Sequence, residues 1–182
     1  MRLFVAVEIA PEIRDKITEF VSQIKPNLAN ARWSRPEGLH ITLKFLGNVP
    51  DQKRSAVEDK LRGIGAGHFS LSLSEVGVFP NVKSPRVLWV GVGASDDLAK
   101  LAEQVEAALA PLGFEREKRA YTPHVTLARF NDRDKKADAS AVLSSGPKAG
   151  FGTMTATQFH LYESKLSPQG SRYSKLASFA LH

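Results

Sequence analysis

The tightest constraint on how this chain folds is a repeat. Residues 40-HITLKFLG-47 and 124-HVTLARF-130 carry the same His-x-Thr-Leu pattern, 124 − 40 = 84 positions apart. Sliding the sequence by 84 also sets Arg2 on Arg86, 3-LFVAV-7 on 87-VLWVG-91 and Ala10 on Ala94. Ile17, Val21 and Leu28 meet Leu101, Val105 and Leu112, with no gap in the span. A strand, a helix face and a motif strand in one register mark two related halves. Two copies are too few for a solenoid, so the pattern predicts two lobes about an approximate two-fold axis.

The bounds agree. A chain of 182 residues fits one two-lobed domain over 1–182 and can bury a core without staples. There is no cysteine, which excludes disulfides, a thiolate nucleophile and a Cys-based zinc site. A net charge of +6 and a pI near 9.7 favour anionic partners, nucleic acid among them. The opening MRLFVAVEIAPEI has too short an apolar run for a signal peptide. No stretch approaches the ~18 apolar residues of a membrane span. The expectation is a cytoplasmic monomer that does not engage a membrane.

Residues 3–9 read as a buried strand, and Pro11 suits the first turn of a helix. Ile13, Ile17, Phe20, Val21 and Ile24 then make one helical face. Strands are expected at 39–46, 69–79, 86–92, 122–130, 152–164 and 172–181, the last two antiparallel. A second helix should carry Val57, Leu61 and Ile64. Ser95 should cap a third, with Asp96 and Asp97 in its first turn and Leu98, Leu101, Val105, Leu109 and Leu112 along it. Residues 131–150 read as a surface loop with a short helix over 137–144. The fold class is α+β: two pseudo-symmetric lobes, each a mainly antiparallel sheet with helices on its outer face, facing across a central cleft.

In a strand, alternate side chains share a face. His40 and Thr42 therefore point away from core-facing Ile41 and Leu43, as do His124 and Thr126 from Val125 and Leu127. Across a two-fold axis, two imidazoles and two hydroxyls would converge. Two histidines flanking a small anion can act as general base and general acid in displacement at phosphorus, since imidazole titrates near neutrality. Threonine hydroxyls can donate to the non-bridging oxygens as charge rises there. A lone His-x-Thr is ordinarily a half-buried polar face; its duplication on the non-core side is what favours chemistry. A zinc site would need a third ligand, and His-x-Thr supplies one per strand, so no metal and no cofactor are expected. His68, His160 and His182 lack the motif and read as surface or hydrogen-bonded histidines.

With these strands in hand, the chain resembles the two-histidine (2H) phosphoesterase superfamily. Within it, the chain is similar to the RNA 2′,3′-cyclic phosphodiesterase (2′-5′ RNA ligase) family. The likeness rests on 2-RLFVAVEI-9, 32-RWSRPEGLHITLKFLG-47, 78-VFPNVKSPRVLWVGV-92, 121-YTPHVTLARF-130 and 162-YESKLSPQGSRYSKL-176. It implies an enzyme that hydrolyses RNA 2′,3′-cyclic phosphate ends to 2′-phosphomonoesters, with RNA ends or cyclic-phosphate nucleotides as partners. It also implies His40 as general acid on the leaving 3′ oxygen and His124 as general base on water; the symmetric motif itself does not separate these roles. Alternatives are a 2′-5′ ligase, a small cyclic-nucleotide phosphodiesterase or a non-catalytic RNA-end binding module.

Phe45 and Arg129 each lie five residues after their histidine. The resemblance implies that they clasp a nucleobase by stacking and cation–π contact. Strict alternation places them on the wrong face for that, unless the strands end, bulge or twist; otherwise Phe45 is core packing. Alternation also puts Lys44 on the histidine face, where it either reaches phosphate from the rim or, as expected here, stands as a solvated lysine. Arg35, Arg116, Lys118, Arg119 and Arg172 flank the motif strands, where they either meet RNA or form a solvated face.

Overall fold

The computed structural model of the chain describes residues 1–94, 96–131 and 139–182. β1 (Arg2–Glu8) leads into α1 (Pro11–Ile24), followed by a two-residue β2 (Arg32–Trp33) and the first motif strand β3 (His40–Asn48). Next come α2 (Arg54–Arg62), β4 (Phe69–Phe79), β5 (Val87–Ala94), α3 (Asp96–Leu109) and the second motif strand β6 (His124–Arg129). α4 (Ser140–Ser144), β7 (Gly152–Ala156), β8 (Gln158–Ser167) and β9 (Gly170–Ala180) close the chain. The expected cap at Ser95 and the start of the helix expected over 137–144 lie outside the described residues.

The strands form one sheet in the order β7-β4-β5-β6-β3-β1-β8-β9, with β2 beside β6. All its pairings are antiparallel. The two lobes are its two ends, joined where β3 meets β6 through the single pair Ile41↔Val125. Those residues are equivalent under the 84-residue shift, so the pseudo-two-fold passes between them.

The repeat does not keep its strands to itself. β4, from the first half of the sequence, pairs with β5 of the second; β8, from the second, pairs with β1 of the first. The segment 152–164, expected as one strand, is accordingly two. β7 joins β4 at one end of the sheet, and β8 joins β1 near the other.

Burial follows the two periods. Leu3, Val5 and Val7 face a core shared with Ile13, Ile17, Phe20 and Ile24 of α1, with Val57 and Leu61 of α2, and with the buried leucines and Val105 of α3. Ile41, Leu43, Val125 and Leu127 belong to the same core, so the helices cover the sheet face opposite the histidines. Phe4, Ala6 and Tyr162 form a small apolar cluster of their own on the other face. α1 starts at Pro11, with Glu12 in its first turn and no side-chain cap. α3 runs on into a 3-10 turn that ends at Gly113, whose φ of 89° is one that residues with a Cβ rarely adopt. No helix among the described residues is long and apolar enough to cross a membrane.

Candidate active site

Register alone brings four polar side chains together. Ile41 lies opposite Val125, so one step along each antiparallel strand sets His40 against Thr126 and Thr42 against His124. These neighbours point to the face away from the core. The charges of His124 and Arg129 are near enough to bear on His40. The sequence-predicted histidines and threonines thus share one face at the pseudo-two-fold.

Both imidazoles are held in the same way. Nδ1 of His40 donates to the Gly38 carbonyl at 2.7 Å, and Nδ1 of His124 to the Thr122 carbonyl at 2.8 Å. A carbonyl can only accept, so each neutral ring carries its proton on Nδ1. Nε2 is left as the nitrogen with a free lone pair, able to take up a proton. Gly38 and Thr122 are themselves 84 residues apart.

The conflict over Phe45 and Arg129 resolves as a pair of bulges. In β3, Val5 pairs with Lys44 and Ala6 with Thr42, leaving Leu43 as an extra residue. In β6, Leu88 pairs with Ala128 and Trp89 with Thr126, leaving Leu127 extra. A bulge shifts the alternation by one. Beyond it, Lys44 and Ala128 turn into the core, while Phe45 and Arg129 turn out beside the histidines. Phe45 is 65% exposed, which removes the core-packing reading. Lys44 is 6% exposed and so is not the solvated lysine expected on the histidine face. Its Nζ donates to Glu106 Oε2 at 2.5 Å and to the Glu115 carbonyl at 2.7 Å, the pairing a buried ammonium requires.

At each bulge a hydroxyl from the other half donates to the threonine carbonyl. Tyr121, just before the second motif, donates to the Thr42 carbonyl at 2.9 Å. Ser34, ahead of the first, donates to the Thr126 carbonyl at 2.8 Å. Burial pushes the Tyr121 phenol up, so it stays a neutral donor. The two half-sites are tied reciprocally, through residues that lie outside the His-x-Thr motifs themselves.

Around the histidines the halves differ. The ring of His40 lies 4.7 Å from that of Phe4 and 5.2 Å from Tyr173, which meets it edge-on; Tyr162 stacks on Phe4. His40 is half-buried against this wall, and its pKa is lowered to about 4, chiefly by burial; the Gly38 bond opposes the shift and the charges of His124 and Arg129 add to it. His124 meets one ring edge-on, Phe79 at 5.2 Å, and Phe79 in turn leans on Trp89. Trp89 lies over Gly77, where any Cβ would clash with its ring atoms.

Of the remaining histidines, His68 and His182 are exposed. His160 is buried at 1%, paired across Ala6 with the strand of Thr42. Its Nδ1 meets Ser178 Oγ at 2.9 Å, and its Nε2 faces Glu8 at 3.7 Å without a hydrogen bond. Burial, with Lys175 adding and Glu8 opposing, lowers it to about 4. Among the flanking cations, Arg116 pairs with Glu103 and Arg119 with Glu117. Arg35 and Arg172 instead line a pocket of about 560 Å3 that reaches Arg129.

A chain with two such half-sites falls in a recognisable class. The sequence model of the family "LigT like Phosphoesterase" matches residues 7–89 and again 90–173, once per half. The chain belongs to this family of two-histidine phosphoesterases. It is 36% identical over 179 residues to the RNA 2′,3′-cyclic phosphodiesterase of Archaeoglobus fulgidus, spanning 98% of this chain and 99% of that protein. With the protein of that name from Thermotoga maritima it shares 32% over 178 residues, 97% of this chain and 93% of the relative. Among solved structures, E. coli LigT complexed with 3′-AMP superposes with a TM-score of 0.82 at 30% identity, over 99% and 97% of the two chains.

Proposed function

We propose that this protein hydrolyses RNA 2′,3′-cyclic phosphate ends to 2′-phosphomonoesters, by acid–base catalysis with His40 and His124 and without a metal ion. The observation that carries this reading is the pairing at the pseudo-two-fold: two imidazoles with Nδ1 pinned to carbonyls, each beside the other half's threonine. The names of the relatives support the substrate.

Water attacks phosphorus and gives its proton to Nε2 of His124. The P–O3′ bond breaks, and the 3′ oxygen takes the proton from Nε2 of His40. The products are a 2′-phosphomonoester and a 3′ hydroxyl, with His40 neutral and His124 protonated; one proton exchange with solvent resets the pair. Thr42 and Thr126 donate to the non-bridging oxygens, whose charge grows in the transition state. Phe45 and Arg129 hold the terminal base between an exposed ring and a guanidinium. The low pKa of His40 keeps it neutral in the free protein near pH 7. The phosphate's negative charge favours its protonation, and an imidazolium whose own pKa is lowered is then a strong donor to the leaving oxygen. We further take residues 1–182 as one domain, since the exchange of β4 and β8 leaves neither half a sheet of its own, and the protein as a cytoplasmic monomer.

The deciding experiment is incubation with an RNA ending in a 2′,3′-cyclic phosphate, in a strong chelator, with the product's phosphate located by NMR. A 2′-phosphomonoester at a rate the chelator leaves unchanged is expected. A 3′-phosphomonoester, intact substrate, or activity restored only by a metal would overturn the reading.

A further inference from the structure

The pocket beside the catalytic face has a composition that the terminal nucleotide does not explain. It is lined by Arg32, Arg35, Arg129 and Arg172, together with the apolar surfaces of Tyr173 and Leu166. Neither histidine lines it. It abuts His40 all the same: Gly38, whose carbonyl holds His40, forms part of its wall, and the Tyr173 ring lies 5.2 Å from the imidazole.

Its charge is poorly compensated. Arg32, Arg129 and Arg172 have no carboxylate within ion-pair distance among the described residues, and Arg35 has only Glu37 at 4.0 Å. Arg54, Arg62, Arg116 and Arg119 by contrast each face a carboxylate. Packing like charges around one concavity costs free energy unless an anion occupies it. The apolar surface is exposed too, 74% for Leu166 and 39% for Tyr173. Guanidinium groups interleaved with an aromatic ring form the kind of surface that single-stranded nucleic acid uses.

Topology explains why these groups meet. β2 pairs with the end of β6 and sets Arg32 opposite Arg129. The β8–β9 hairpin carries Leu166, Arg172 and Tyr173 to the same place, and Arg35 reaches the Gln169 carbonyl of its turn at 3.4 Å. Segments from both halves of the sequence thus build a wall around one concavity.

We propose that this pocket is a second anion subsite, which takes the internucleotide phosphate and the nucleotide on the 5′ side of the cyclic phosphate in an RNA strand. The inference rests on the proposed reaction for the direction of the strand. With the cyclic phosphate at the histidines and the terminal base at Arg129 and Phe45, the chain leaves by its 5′ oxygen past Arg129 into the pocket. Arg35 and Arg172 then meet the phosphate, while Leu166 and Tyr173 offer a surface to the next base. A substrate with one internucleotide phosphate can reach these groups; a cyclic mononucleotide cannot.

The test compares three substrates: a 2′,3′-cyclic mononucleotide, a dinucleotide with the same cyclic end, and that dinucleotide with a neutral methylphosphonate linkage. The wild-type protein should prefer the charged dinucleotide in kcat/KM by about 10-fold or more, the scale of one charge-assisted hydrogen bond. The methylphosphonate should lose most of that preference, and the R35Q/R172Q double variant should lose it likewise. Equal kcat/KM for all three substrates, or a double variant that keeps the wild-type ratio, would overturn the subsite. If no cyclic phosphate is turned over at all, the reaction has been misread and binding decides the subsite separately. A labelled pentaribonucleotide should bind the double variant about 10-fold more weakly, with a salt slope shallower by about 0.7 for each phosphate that an arginine no longer neutralises. Unchanged affinity and slope would overturn the subsite even then. Circular dichroism melts of the double variant show that it is folded in both arms.

Discussion

In the first half of the molecule, His40 stands behind Phe4, Tyr162 and Tyr173, on a wall that lowers its pKa to about 4. In the second, His124 has the same backbone bond but one aromatic neighbour, Phe79. The bulge, the Nδ1 tether and the hydroxyl on the threonine carbonyl all repeat; the aromatic surroundings do not. Duplication supplied two equivalent imidazoles, and the strands exchanged between halves made them unequal. β8 and β9 bring Tyr162 and Tyr173 to His40, whereas β4 brings Phe79 to His124. In the proposed reaction the pair holds one proton between them, and such a difference would set which ring is protonated at each stage.

The largest expected effect comes from removing either ring. His40→Ala and His124→Ala should each cost about 10²–10⁴ in kcat/KM, with the fold intact by circular dichroism. The two can then be separated by the leaving group. A substrate whose 3′ bridging oxygen is replaced by sulfur expels a thiolate that needs little protonation. His40→Ala should regain most of its loss on it and His124→Ala should not. Recovery by His124→Ala instead would exchange the roles; identical behaviour of the two variants would break the comparison.

Solvation itself makes the second prediction. An NMR titration of the His40 ring in the free protein should give a pKa of about 4. The acid limb of kcat/KM should lie there too, well below the limbs around neutrality that two ordinary imidazoles would give. Bound phosphate raises the value, so the acid limb of kcat should lie at higher pH. The same shift bears on stability. His40 and His160 are lowered in the folded state, so between about 4 and ~6.5 the unfolded chain binds more protons. Stability is then full above pH ~6.5 and declines as pH falls toward 4. A His40 pKa near 6.5 would remove the asymmetry.

The repeat, both motif strands, the helices and the core faces were legible because periodicity carries them. The bulges were not, and the reason is specific. In β6 the run Leu127-Ala128-Arg129 shows two apolar residues before a polar one, the mark of a slipped alternation. In β3, Leu43-Lys44-Phe45 hides that mark, because the polar residue goes in and the ring comes out. Comparing the halves position by position exposes the slip; reading β3 alone does not. Lys44 is buried because Glu106 waits on α3, a contact 62 residues away. The exchange of β4 and β8 left no local trace either. Alternation says which face a residue takes, not which partner a strand finds. No turn signal at Ala156-Thr157 divides β7 from β8.

A smaller effect is expected at the threonines. Thr42→Ala and Thr126→Ala each remove one hydrogen bond to a charged oxygen, about 1.5–3 kcal/mol, or roughly 10- to 100-fold in kcat/KM. Each threonine lies beside the other half's histidine, so the losses should be similar. A loss confined to one variant would mean that the phosphate is held by a single half.

The smallest effects belong to the two hydroxyls that cross between halves. Tyr121→Phe removes the hydroxyl donor to the Thr42 carbonyl at the β3 bulge; Ser34→Ala does the same to the Thr126 carbonyl at the β6 bulge. A neutral hydrogen bond of this kind is worth about 1 kcal/mol, which lowers Tm by about 2–4 °C in a domain of this size. Tyr121 should cost more. Its phenol is desolvated enough to be pushed up, so water replaces it poorly, whereas Ser34 borders the open pocket, where water can take the hydroxyl's place. Because each hydroxyl also fixes the strand that presents a threonine, the activity loss should fall on kcat more than on KM. Comparing Tm with kcat for both variants checks the argument. Equal and negligible changes would show that the bulges hold themselves, and that the reciprocal bonds do not couple the two half-sites.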